Sequence, residues 1–137
     1  MKKYTLLVLA ALWVSSASAE ELRINRFDLD SLHLDGSQCD FTEKGNGTVL
    51  ASDWLTKFWM KVDGKMVQFT GAGSNADFER QLKTKRWKET FQAGGITVAL
   101  DLAETGRGDD AAEFRGFVDI KRGSLVKRIK VTVDCGA

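Results

Sequence analysis

Phe58-Trp59-Met60-Lys61-Val62-Asp63-Gly64-Lys65-Met66-Val67-Gln68-Phe69 decides the architecture of this chain. Asp-Gly is a dipeptide favoured by two-residue type I′ turns, because both central positions need positive φ. With Asp63-Gly64 at the turn, Val62 faces Lys65, Met60 faces Val67 and Phe58 faces Phe69. One face then carries five large apolar side chains and the stem of Lys65. The other sets Trp59 against Gln68 and Lys61 against Met66. Turn chemistry and side-chain alternation agree, so the segment reads as an antiparallel hairpin with one greasy face.

Working outward, a second hairpin closes the chain around Gly123-Ser124. It opposes Val118 to Ile129 and Phe114 to Val133 on one face, and Asp119 to Arg128 on the other. Ile96, Val98, Leu100 and Leu102 alternate with Thr97, Ala99 and Asp101, a third strand. Trp87, Glu89 and Phe91 precede it across Ala93-Gly94-Gly95. Thr48 to Trp54 is a shorter candidate after Asn46-Gly47, and Leu22–Leu29 and Gln38–Thr42 read as edge strands. Ser74–Thr84 reads as a helix with Ser74 as N-cap and Phe78 and Leu82 on one face, or else continues as an exposed strand into Trp87. The expectation is an all-β fold: a small antiparallel β-barrel or sandwich of about seven to nine strands with one short helix.

The chain begins with Lys2-Lys3, an apolar run Leu6 to Val14, and Ala17-Ser18-Ala19. This is the pattern of a cleaved signal peptide, so residues 1–19 are read as a leader and 20–137 as one domain. Removing 1–19 takes away two lysines and no acids, leaving 18 basic against 19 acidic residues, a formal charge of −1 with His33 neutral. Near-neutrality argues against nucleic acid as a partner. No later run is long enough for a membrane helix. In an exported, oxidising compartment, the two cysteines Cys39 and Cys135 are most simply one disulfide. The compact leader points to the periplasm, with full secretion as the alternative.

Nothing in the sequence spells a catalytic signature. The single histidine, His33, sits in Asp28–Asp35 where leucines alternate with polar residues, which reads as the wet face of a strand. No nucleophile elbow, metal-ligand spacing or cofactor motif accompanies it. Paired acids of a glycan hydrolase are the remaining enzyme reading, but no pair of carboxylates stands out. Arg107-Gly108-Asp109 and Asn46-Gly47-Thr48 read as turns. Two basic clusters, Arg80 to Lys88 and Lys121 to Lys130, read as solvated faces before they read as binding patches.

Two readings remain: a structural accessory domain of the envelope without a discrete site, and a binding surface. Gly71-Ala72-Gly73-Ser74 follows the first hairpin as a small-residue loop. Gly71, Gly73 and Ser74, together with an exposed Trp59 or Trp87 and the neighbouring Arg86, form the surface expected to bind a protein or an envelope polymer. An early Cys39, the Val62-Asp63-Gly64-Lys65 hairpin, the loop after it and the near-terminal Cys135 make the chain similar to bacterial periplasmic inhibitors of c-type lysozyme. That resemblance implies a small antiparallel β-barrel inserting a Ser-Gly-x-x-Tyr loop into the enzyme's cleft. Here Thr70-Gly71 occupies the Ser-Gly place, and the only tyrosine is Tyr4 in the leader.

Overall fold

The computed structural model describes residues 21–71 and 75–137, with only the backbone for 75–77; the leader, Gly73 and Ser74 lie outside the described residues. The chain runs β1 (Ile24–Asn25), a 3-10 turn (Leu29–Leu32), β2 (Gln38–Glu43), β3 (Gly47–Ser52), β4 (Lys57–Val62) and β5 (Lys65–Thr70). Then follow α1 (Asn75–Thr84), β6 (Arg86–Ala93), β7 (Ile96–Arg107), β8 (Ala111–Arg122) and β9 (Leu125–Gly136). All pairings are antiparallel, in the order β1-β4-β3-β2-β9-β8-β7-β6, with β5 on the other side of β4.

Both hairpins have the register that their turn chemistry dictates: Val62 pairs Lys65 and Phe58 pairs Phe69, while Val118 pairs Ile129 and Asp119 pairs Arg128. Asp63 (φ 49°) and Gly64 (φ 79°) supply the two positive φ angles of the first turn. The helix forms over most of its expected span, and the strand alternative for that segment does not occur. Lys85 at φ 56° ends it, its N–H still reaching the carbonyl of Gln81, and the chain turns directly into β6.

Three expectations are corrected. Gln38–Thr42 is no edge: β2 lies between β3 and β9, where Cys39 faces Cys135 and the two form a disulfide. Leu22–Leu29 yields only the two-residue β1, because Asp28 caps a 3-10 turn in which its carboxylate accepts the Asp30 N–H at 3.0 Å. His33 therefore closes that turn at φ 49°, exposed, and is not on a strand.

The sheet curls because large inward side chains meet across its concave side. Trp87 of β6 packs its ring 5.6 Å from Phe41 of β2, 6.1 Å from Phe58 of β4 and 5.4 Å from Phe114 of β8. Phe91 stacks on Phe58 at 4.1 Å and meets the edge of Phe69 at 5.3 Å. Rings in this arrangement add about 0.5–1.5 kcal/mol per pair beyond their burial. The result is a half-barrel: β5 and β6 come together through Phe69 and Phe91, yet no strand ladder joins them among the described residues. The edge-free closure expected of a complete barrel is not reached, and α1 connects the two lips of the gap.

Candidate functional site

Beside that gap is a cleft of about 1020 Å³, bounded by α1, β6, the β3–β4 connection and the tip of the β7–β8 hairpin. Its construction begins at Asp53. The carboxylate Oδ1 accepts the backbone N–H groups of Leu55, Thr56 and Lys57 at 2.9, 3.0 and 3.0 Å, which pins the connection into a tight turn. Trp54 is thereby held at φ 60°, a left-handed conformation that costs a bulky residue roughly 1–2 kcal/mol. Its N–H donates to the hydroxyl of the fully buried Ser52 at 3.0 Å. The indole ends up half-buried at the cleft, with its Nε1 buried and lacking a hydrogen-bond partner among the described residues.

The opposite wall comes from α1 and β6. Gln81 reaches the cleft from the helix, and its side-chain Nε2 is also buried with no partner among the described residues. Glu89 lies between Trp87 and Phe91 on the inner face of β6 and takes the Trp87 Nε1–H on Oε2 at 3.0 Å. A carboxylate in an otherwise apolar stripe is tolerated here because the Trp87 indole N–H pairs with it at the border of the cleft. Leu55, 73% exposed, and Phe78, 42% exposed, form an apolar rim.

The expected binding residues divide around this feature. Gly71 belongs to its foundations: a Cβ there would collide with Glu89 Oε1 and stand 2.9 Å from Phe58 Cε2, so a larger residue would have to displace the carboxylate and the buried ring. Arg86 lines the cleft and is ion-paired with Asp101 at 2.6 Å. Trp87 lines the cleft, but the residue is only 7% exposed, so the expectation of an exposed platform is corrected: period-two alternation puts it on the inner face with Leu102 as its neighbour. Trp59 points to the outer face, half-buried beside Ala51 and Gln68, and does not line the cleft. Gly73 and Ser74 lie outside the described residues.

The two basic clusters do not converge. Successive rows across the outer wall read Lys88-Asp101-Phe117-Lys130 and Thr90-Ala99-Asp119-Arg128, so acids separate the bases. Arg128 binds Asp119 through two bonds of 2.7 and 3.0 Å and lies 4.7 Å over Phe117, and this guanidinium holds the Asp119 carboxyl below its ordinary range. Arg122 turns away to the far end of the sheet, pairing with Asp63 and reaching the Glu21 carbonyl at 3.2 Å. Such a wall has no concentrated field to steer an anionic polymer.

Trp54, Gln81 and Glu89 did not emerge from motif reading. Glu89 carried a signal, a charge at an inward position between two aromatics. The Ser52-Asp53-Trp54 step carried another, since Asp readily caps a turn through its own side chain. Gln81 carried none, because its role depends on where the helix docks. Comparison of the chain with protein-family models, with curated proteins and with solved structures finds no match.

Proposed function

We propose that this protein is an exported, non-enzymatic binding module of the bacterial envelope that holds a protein or an envelope polymer in the cleft between α1 and the half-barrel. One observation carries the reading: Trp54 and Gln81 line one cleft, and each carries a buried N–H donor, Nε1 and Nε2, without a partner among the described residues. An unsatisfied buried donor costs roughly 1–3 kcal/mol, which a ligand acceptor recovers on binding. The disulfide suits a compartment outside the reducing cytoplasm. A leader ending at Ala19 and a periplasmic address complete the proposal. Among the described residues no helix is long and apolar enough to cross a membrane.

The test is co-sedimentation of the mature chain, residues 20–137, with isolated bacterial envelope polymer, comparing wild type with Trp54→Ala and Trp59→Ala. Retention that is lost in Trp54→Ala and kept in Trp59→Ala supports the cleft. Equal retention of both variants, or none by wild type, refutes it. A second reading, inhibition of c-type lysozyme, rests on the curled antiparallel sheet and the cysteine clasp that the resemblance implies. Undiminished lysis of a bacterial suspension by lysozyme in the presence of excess protein removes it.

A further inference from the structure

We infer that the cleft takes a neutral saccharide bearing N-acyl groups, with an amide carbonyl of the ligand as the acceptor for the Trp54 and Gln81 donors. The inference rests on the binding-module reading and names its ligand chemistry. Three observations converge on it.

The first is the sign of the unmet hydrogen bonding. Trp54 Nε1 and Gln81 Nε2 are N–H donors, so the ligand must bring acceptor oxygen to them, while the Glu89 carboxylate beside them favours a ligand that also carries donors. The second is charge. The arginines of the cleft are engaged, Arg86 by Asp101 and Arg107 by Glu104, and Arg80 is not free; Lys88 is the remaining cation of the lining. Glu89, Asp109 and Asp110 further offset the basic lining, so an anionic ligand gains no strong field there. An uncharged acceptor, an amide or hydroxyl oxygen, is the better match. The third is the apolar component. Leu55 and Phe78 at the rim and the half-buried Trp54 ring offer surface to methyl groups and to the C–H faces of sugar rings.

An N-acylated sugar presents all three together: a carbonyl acceptor, an acyl methyl with an apolar ring face, and hydroxyl donors for the carboxylates. The volume of about 1020 Å³ sits at the upper end of ligand sites and accommodates several linked units. A hydroxyl-only glycan supplies weaker acceptors and no methyl. A de-N-acylated glycan brings ammonium groups and loses the carbonyl.

The experiment titrates the folded mature protein by calorimetry with three tetrasaccharides of equal length and linkage: N-acetylglucosamine, glucosamine and glucose. Binding of the acetylated tetramer alone is the expected result. Trp54→Phe and Gln81→Leu each remove a donor and weaken binding roughly tenfold, with thermal midpoints monitored to show that both variants remain folded. Should Trp54→Phe fail to fold, Gln81→Leu decides. Equal affinity for the three sugars, binding only of the glucosamine or glucose tetramer, unchanged affinity in Gln81→Leu, or displacement of the sugar by an unrelated extended peptide overturns the inference. Absence of any saccharide binding, with polymer retention still dependent on Trp54, overturns it and leaves the binding-module reading standing. Loss of both removes the reading itself.

Discussion

Replacing both cysteines at once, Cys39→Ala with Cys135→Ala, probes the feature that ties the two halves of the sheet together. The bond closes a loop spanning a sequence separation of 96 between directly paired residues of β2 and β9. The chain-entropy relation for a loop of that size gives about 4.7 kcal/mol at 25 °C, all of it acting on the unfolded ensemble. A domain of this size is stable by only about 5–15 kcal/mol, so the bond supplies a third or more of the total. Both cysteines are buried, at 0% and 4% exposure, and alanine leaves no unpaired polar group behind. Urea unfolding followed by tryptophan emission is the assay. With an m-value of about 1.5 kcal/mol/M, the midpoint falls by about 3 M. The m-value itself rises, because an uncrosslinked unfolded chain exposes more surface. The loss appears mainly as slower folding, since the β2–β9 ladder must then be closed across the full loop before its contacts contribute. A change below about 1 kcal/mol, or one confined to the unfolding rate, refutes the entropic account.

Gly116→Ala destabilises by about 1–3 kcal/mol, because the added Cβ collides with the Asp101 carbonyl oxygen and lies 2.9 Å from Leu102 Cα, and backbone cannot step aside as a side chain can. A thermal midpoint equal to wild type contradicts this. Acid stability depends on Asp63: the hydrogen bond from Arg122, then the Arg23 N–H at 3.0 Å, hold its carboxyl below the ordinary value of 3.8. A depressed folded pKa means that the stabilisation is complete above about pH 5 and is lost as pH falls through the folded value. Asp119 acts in the same direction through Arg128. Asp63→Asn therefore flattens part of the loss of stability below about pH 4, and because the pair is exposed the difference shrinks in high salt. Identical acid-unfolding curves for wild type and Asp63→Asn contradict that assignment.

Much of the framework was legible without coordinates, and for a local reason. A two-residue turn specifies register, and a period of two specifies the face, so Asp63-Gly64 and Gly123-Ser124 each determined which side chains point inward. The same alternation separated Phe58 from Trp59 and grouped Trp87, Glu89 and Phe91. Compartment logic paired Cys39 with Cys135. Only the tertiary structure decided the rest. Whether Trp87 was a platform or a core ring depended on Phe41, Phe58 and Phe114 arriving from three distant strands. Whether the sheet closed depended on how far those rings drew its lips together. The cleft joins Trp54, Gln81 and Glu89, which lie on three different elements. Their proximity is a product of curvature and helix docking, long-range quantities that no local period encodes.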